Sequence, residues 1–351
     1  MTLFAVISSL PVFLISIAAI WGGWWVLAAF FYQTALAALL DELVALTLSE
    51  DPDREFPAAD PLSVFLAVAH FWILAICIAA LSGDTGLTLW EKIPLFLASG
   101  LFLGQVSNSN AHELIHRGAR PLHRLGKWVY ITLLFGHHTS AHPLVHHIHV
   151  ATDQDPNSAR KGESYYRFAK RAWIGSFVAG YRAETVRLAR IKRRKWHHPY
   201  ILYLSGAGLM MALAYLGHGI PGLISLFLLA GFAQSQLLIS DYVQHYGLRR
   251  TILANGKPEP VSDGHSWNAR HWFTSSLMLN APRHSDHHAH PARPYPQLRL
   301  TSEMPQLPRS LPVMATLALW PKHWKRVMDP LVQHQQDAQI RQRPAGHDIV
   351  D

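Results

Sequence analysis

Residues 93–116 read IPLFLASGLFLGQVSNSNAHELIH, with no Asp, Glu, Lys or Arg before His112 and two histidines, His112 and His116, at the end. About 20 uncharged, mostly apolar residues are enough to cross a bilayer as a helix. Histidines at i and i+4 share one face of such a helix. A rise of 1.5 Å per residue carries His112 roughly 28 Å along the axis from Ile93. The stretch therefore predicts an all-α integral membrane fold with its chemistry at one membrane face.

The same pattern recurs on either side. Of 351 residues, 50% are hydrophobic and 15% charged, against about 25% charged in soluble domains. No Asp, Glu, Lys or Arg occurs from Met1 to Leu40, from Pro61 to Gly83 or from Trp196 to Ser240. These runs predict six transmembrane helices, at about residues 3–21, 24–40, 62–81, 93–116, 199–216 and 220–245. The first two form a hairpin around Gly22 and Gly23. The first 40 residues lack the basic start and small-residue cleavage site of a signal peptide, and are expected to stay in the mature protein. Residues 1–330 then make a single membrane domain whose helical cap is built from 117–198 and 246–330. Residues 331–351 are polar and Gln-rich, and are expected to be a disordered tail.

Six spans put both termini on one side. The short turns on the other side are Gly22–Gly23, Ser82–Lys92 and Gly217–Gly219, and of 31 Lys and Arg residues they hold only Lys92. Lys and Arg mark the cytoplasmic side, so the termini and the cap are expected in the cytoplasm and the protein in the inner (plasma) membrane of a bacterium. Twelve basic residues fall between Arg160 and Lys195, where they suit anionic lipid headgroups or an acidic protein partner. That placement accounts for a pI near 9.6 without nucleic acid. The only cysteine, Cys77, excludes disulfides and thiolate metal sites within one chain.

Histidine is the residue in surplus, at 23. Beyond His112 and His116, His142, His146 and His147 follow the fourth span, His245 ends the sixth, and His284, His287 and His288 lie near the start of the tail. Spacing puts His142 and His146 on one face with His147 next round, and His284, His287 and His288 on another single face. Charge asymmetry and spacing independently assign all nine to the cytoplasmic side. Nine imidazoles are too many for one metal ion and point to two. Imidazole suits iron, zinc and copper, so ligand type does not choose among them. His-Glu-x-x-His also occurs in zinc proteases, with Glu113 as base, but such a site needs three protein ligands and a water. A metal transporter or sensor would need polar groups inside the spans, and these are sparse. His70 and His218 read as structural hydrogen-bonding residues.

These motifs resemble the membrane-bound alkane hydroxylases (AlkB-type alkane 1-monooxygenases) of the histidine-rich membrane desaturase and hydroxylase superfamily. HELIHR at 112–117, HPLVHH at 142–147, VATDQDP at 150–156, GESYYRF at 162–168, DYVQHYGL at 241–248, HSWN at 265–268 and RHSDHHAHP at 283–291 carry the resemblance. It implies that the nine histidines ligate two iron ions, that O2 is the oxidant, that an alkane-like substrate enters from lipid through a transmembrane channel, and that a rubredoxin with its reductase supplies electrons. A fatty-acyl desaturase or hydroxylase, or an aryl-methyl monooxygenase, would use the same metals. The sequence departs from the pattern at Ala141 and Gln244, where the family carries Glu, at Val145 for Gly and at Asp241 for Asn. Carboxylates behind ligands orient them. Asn108, Asn110, Glu113, Asp153, Asp155, His265 and Asp286 are the candidates left for that role. Trp24, Trp25, Phe30, Phe31, Trp72 and Phe102 are candidate channel residues.

Overall fold

The protein is described by a computed structural model over residues 1–44 and 58–341. It is helical throughout, and among the described residues no strand forms beyond two isolated bridges. Helix α1 is Thr2–Trp21 and α2 is Trp24–Leu43. Gly22 and Gly23 between them both have positive φ, 62° and 59°, a region that favours glycine. The Gly23 amide donates to Glu91 Oε1 at 2.7 Å, and Glu91 also closes a capping box with Thr88. That box starts α4, which runs through Leu89–Leu101, a π-turn at Phe102–Ser107 and Asn108–His116. The hairpin tip and the start of α4 are therefore held together. Between them in sequence, α3 spans Ala59–Ser82.

Among the described residues four helices are long and apolar enough to cross a membrane: α1, α2, α3 and Pro199–Gln244, the last labelled α8 below. At 46 residues α8 would run roughly 69 Å if straight, twice a bilayer. It breaks at Gly219, whose φ is 62° and ψ −151°. A Cβ on Gly222 would collide with the carbonyl of Ala214 and with His218, so the chain doubles back there. The outer faces of these helices stay apolar, with Phe13, Val68, Leu204 and Phe227 exposed. Trp21, Trp24 and Trp90 are exposed around the hairpin tip, in keeping with the aromatic belts of membrane–water interfaces. Ile15, Leu66, Ile73, Phe102, Val106 and Leu226 are fully buried between the helices.

The remaining helices collect at the His116 end of α4. They are α5 (Arg120–Thr132), α6 (His138–Ala141, a π-turn at His142–His146, then His147–His149) and α7 (Tyr165–Arg190), then α9 (Trp272–Leu277), α10 (His284–Ala289), α11 (Leu311–Ala318) and α12 (Pro321–Arg341). Gly126 lets α5 lie against Ala111 and Leu114 of α4, which fixes the end of α4 that carries the histidines. One expectation is corrected here. Residues 331–341 are not a loose tail, because α12 continues to Arg341. Trp324, Met328 and Val332 are buried along one face of α12, and Gln336 Nε2 donates to the Gly247 carbonyl at 3.2 Å. A Gln-rich surface hid an amphipathic stripe. Residues 342–351 lie outside the described residues.

Candidate metal centre

All nine singled-out histidines converge at this end of the molecule, in two sets. His112, His116, His142, His147 and His287 form one, and His146, His245, His284 and His288 the other. Within each set the candidate ligand nitrogens lie within 4.8 Å of one another. The sets adjoin, with His147 and His288 ring centroids 4.5 Å apart.

The division cuts across the faces expected from α-helical spacing. His142 and His146 were expected on one face, with His147 next round. Instead His142 Nε2 meets His147 Nε2 at 2.9 Å, while His146 turns to the other set. The cause is the π-turn at His142–His146: its i→i+5 step aligns residues five apart. On α10, His284 and His288 share the four-membered set, with their Nε2 atoms 3.1 Å apart. His287, one step round, points its Nε2 to His112 at 2.7 Å and to His147 at 3.2 Å. His245, at the end of α8, reaches His284 Nε2 at 3.0 Å.

These contacts test whether metal ions fit. A ring nitrogen carries either one proton or one lone pair, yet His147 Nε2 faces two other Nε2 atoms and so does His284 Nε2. Protons cannot satisfy such clusters, whereas one cation shared by the lone pairs does. Nitrogens bound about 2.1 Å from one ion stand roughly 3–4 Å apart, close to the spacing seen. His116 Nε2 and His146 Nε2 are also buried without a partner. The residues fit a metal ion in each set.

Around this core, Asp155 is the carboxylate that engages a candidate ligand. It accepts from His146 Nδ1 at 2.8 Å, which aims Nε2 into the site. It also accepts from Ser158 Oγ at 2.6 Å and the Asn157 amide at 3.0 Å. Burial raises the Asp155 pKa, but His146 beside it and these hydrogen bonds outweigh burial and hold it below the usual carboxylate value. Burial lowers the His146 pKa, and Asp155 more than offsets it, so His146 is raised. Asp241 stands nearby and accepts from Asn157 Nδ2 at 2.7 Å. Asn157, Ser158 and Asp241 were not among the expected residues. The Asp-Pro-Asn-Ser run at 155–158 was a turn signal that could have pointed to Asn157 and Ser158.

The other expected supporting groups go elsewhere. Asn108 and Asn110 donate to the backbone carbonyls of Ala233 and Ser63. Glu113 pairs with Arg117 at 3.1 Å. Asp153 is exposed near Arg160 and Arg249. The His265 ring is bonded to Glu259 and Ser262. Asp286 accepts from Arg293, His290 and the Arg299 amide, tying the segment after α10 back onto it. The departures at 141 and 244 have local reasons. Ala141 faces Gly180 of α7, where even a Cβ would come 3.0 Å from the alanine, so a long side chain has no room. Gln244 donates to Ala281 O and accepts from Ser240.

A cavity of about 580 Å³ opens between α2, α4, α8 and α11, lined by Phe30, Leu97, Leu101, Phe232, Ile239 and Leu319 among others. Of the expected channel residues only Phe30 lines it. Trp24, Trp25, Phe31 and Trp72 are exposed on outer helix faces, and Phe102 is buried in the packing. Aromatic composition marked membrane helices without showing which side of each helix faces inward.

Long apolar helices capped by two adjoining histidine sets define a membrane-type helical protein with two candidate metal sites. The fatty acid desaturase family model matches residues 88–318. Alkane 1-monooxygenase 2 of Pseudomonas aeruginosa is 32% identical over 280 residues, 78% of this chain and 72% of that protein. Alkane 1-monooxygenase 1 of Alcanivorax borkumensis is 31% identical over 323 residues, 89% and 78% of the two chains. The xylene/toluene monooxygenase hydroxylase component of Pseudomonas putida is more distant, 27% identical over 61% of this chain and 57% of its own. The chain belongs to the fatty acid desaturase family, among the alkane 1-monooxygenases.

Proposed function

We propose that this protein is a membrane di-iron monooxygenase that hydroxylates the terminal methyl of a medium-chain alkane or similar apolar substrate, using O2 and electrons from a rubredoxin-type donor and its reductase. The observation that carries the reading is the convergence of nine imidazoles into two adjoining sets, in a chain similar to alkane 1-monooxygenases that also holds an apolar cavity between its helices. The nine histidines are the proposed ligands, one ion to each set. Bound iron would supply the activation of O2 for attack on an unactivated C–H bond. The chain's own part is to hold the imidazoles with their Nε2 atoms inward, to fix His146 through Asp155 and to keep water from the pocket. An alkane offers no polar handle, so its alignment rests on the shape of the cavity.

Six spans are supported by the reversal of α8 at Gly219 and by α4, which is uncharged from Ile93 to the residue before His112. With six spans, the Lys and Arg distribution favours cytoplasmic termini, a cytoplasmic cap within a single domain, and an inner-membrane location. The basic residues between Arg160 and Lys195 would then meet lipid headgroups or an acidic donor. The likeness to the xylene/toluene enzyme component favours aryl-methyl hydroxylation as the second reading.

The test is the purified, iron-loaded full chain incubated with donor, reductase and n-octane. Terminal alcohol is expected. Iron bound and O2 consumed with no terminal alcohol, while an aryl methyl is oxidised, would replace the first reading with the second.

A further inference from the structure

Helix α7 ends in the run RIKRRKW at 190–196, just before α8 begins at Pro199. The chain turns there in an ordered way. Lys192 has a φ of 51°, a left-handed conformation usually given to glycine at a helix end. The Lys192 amide donates to the Ala189 carbonyl at 3.1 Å and the Arg193 amide to the Leu188 carbonyl at 3.0 Å. The Arg194 guanidinium lies 4.8 Å from the centroid of the Trp196 ring. Tyr181 stacks on His198 with centroids 4.5 Å apart, and Tyr200 Oη donates to the Phe177 carbonyl at 2.8 Å, so α7 and the start of α8 are fixed side by side. Arg190, Lys192, Arg193, Arg194 and Lys195 are all exposed. Between Lys170 and Tyr200 the one acidic residue is Glu184, and it is taken by Arg187 at 2.6 Å and by Ser140 at 2.7 Å.

Five positive charges within six residues repel one another and call for anions from outside the chain. What lies beside them decides which anions. Ile191 and Trp196 are exposed in the turn, and Ile201, Leu204, Leu209 and Leu213 are exposed along the first half of α8. A basic cluster immediately before a span, with a tryptophan at the same height, matches the layer where lipid phosphates sit above acyl chains. An acidic electron donor fits this turn less well. Helix α7 meets α6 where Gly180 lies on Ala141, next to His142, and Arg190 is ten residues further, roughly 15 Å along the axis. A donor docked there is held away from the histidines, whereas headgroups already fill that plane.

We propose that the turn at 190–196 is a binding site for anionic phospholipid headgroups, and that this end of α7 belongs to lipid and not to the electron donor. Arg190, Lys192, Arg193, Arg194 and Lys195 hold phosphodiester oxygens, the arginines as planar forks, and Trp196 sets their height at the interface. The inference rests on the reading of α8 as entering the membrane at Pro199, and not on the hydroxylation reading. Bound headgroups anchor the far end of α7. That helix supports α6 through the Gly180–Ala141 contact and the Ser140–Glu184 hydrogen bond, and α6 carries His142, His146 and His147.

The test titrates the full chain in detergent micelles with dioleoylphosphatidylglycerol or dioleoylphosphatidylcholine. Bound lipid is measured by native mass spectrometry while the melting temperature is followed. Phosphatidylglycerol is expected to bind at least about tenfold more tightly and to raise the melting temperature more, and added salt should shrink the difference. A basic residue near an anionic headgroup is expected to contribute about fivefold. Arg193→Gln with Arg194→Gln should therefore weaken phosphatidylglycerol binding by about 25-fold, and Arg193→Lys with Arg194→Lys should keep most of it. Arg160→Gln with Lys161→Gln removes the same charge from the other end of α7, far beyond the screening length, and should cost less than about threefold. The lipid-free melting temperature of each variant shows that it folds. Equal binding of the two lipids, or equal losses in the two glutamine pairs, overturns the site. Inorganic phosphate that protects as well as phosphatidylglycerol overturns the assignment to lipid. An acidic rubredoxin that loses its binding in Arg193→Gln with Arg194→Gln, while phosphatidylglycerol keeps its own, returns the surface to the donor. None of these readouts uses iron or turnover, so a failure of the hydroxylation reading leaves the site standing.

Discussion

The two histidine sets are unlike. His146, His245, His284 and His288 are all buried and have Asp155 bonded to His146 and Asp241 close by. In the five-membered set His112, His116 and His147 are only partly buried, and no carboxylate is bonded to any of its rings among the described residues. The four-membered set thus has fewer neutral ligands but a buried negative charge that compensates a cation and orients a ring. The five-membered set relies on number. Equal-looking clusters of one residue type can therefore hold two ions with different tenacity and different access.

The largest effect expected is from removing a ligand. His287→Ala and His288→Ala should each reduce turnover to background and lower bound iron by about half, measured by metal analysis of the purified chain. Retention of all the iron in either variant would break the division into two sets. Next, Asp155→Asn should weaken metal binding by about 10–100-fold at the four-membered set alone. A Mössbauer spectrum should then show one of two iron environments altered. Graded chelation sharpens the same contrast: the first ion lost should come from the more open five-membered set, and the melting temperature should fall in two steps as iron is withdrawn. Smaller still is Gln336→Ala, which removes the bond from α12 to the Gly247 carbonyl and should cost about 0.5–1.5 kcal/mol in denaturant unfolding. The least is expected from Trp24→Ala, on an outer face, with turnover within about twofold of the unsubstituted chain.

Much of this was readable along the chain. Uncharged runs marked the apolar helices because a charge inside a bilayer is costly at any position. The nine histidines stood out because three segments repeat them at helical spacing. The errors came from assuming regular α-helix. His142 and His147 meet because a π-turn intervenes, and nothing in HPLVHH announces an i→i+5 step. The tryptophans expected along a channel lie on outer helix faces, because composition does not say which way a side chain points. The stretch from 331 to 341 looked disordered because its buried apolar residue, Val332, packs against Gly247, which is remote in sequence.

By itself, the sequence determined that this is a membrane-type helical protein and which nine imidazoles gather, since both follow from local patterns of charge and spacing. Only the tertiary structure decided how nine divide into five and four, that Asp155 and not a neighbour of His142 or His245 carries the supporting carboxylate, and which helix faces line the cavity. Those outcomes depend on π-turns and on contacts between segments far apart in the chain, and such contacts leave no periodic trace in the order of residues.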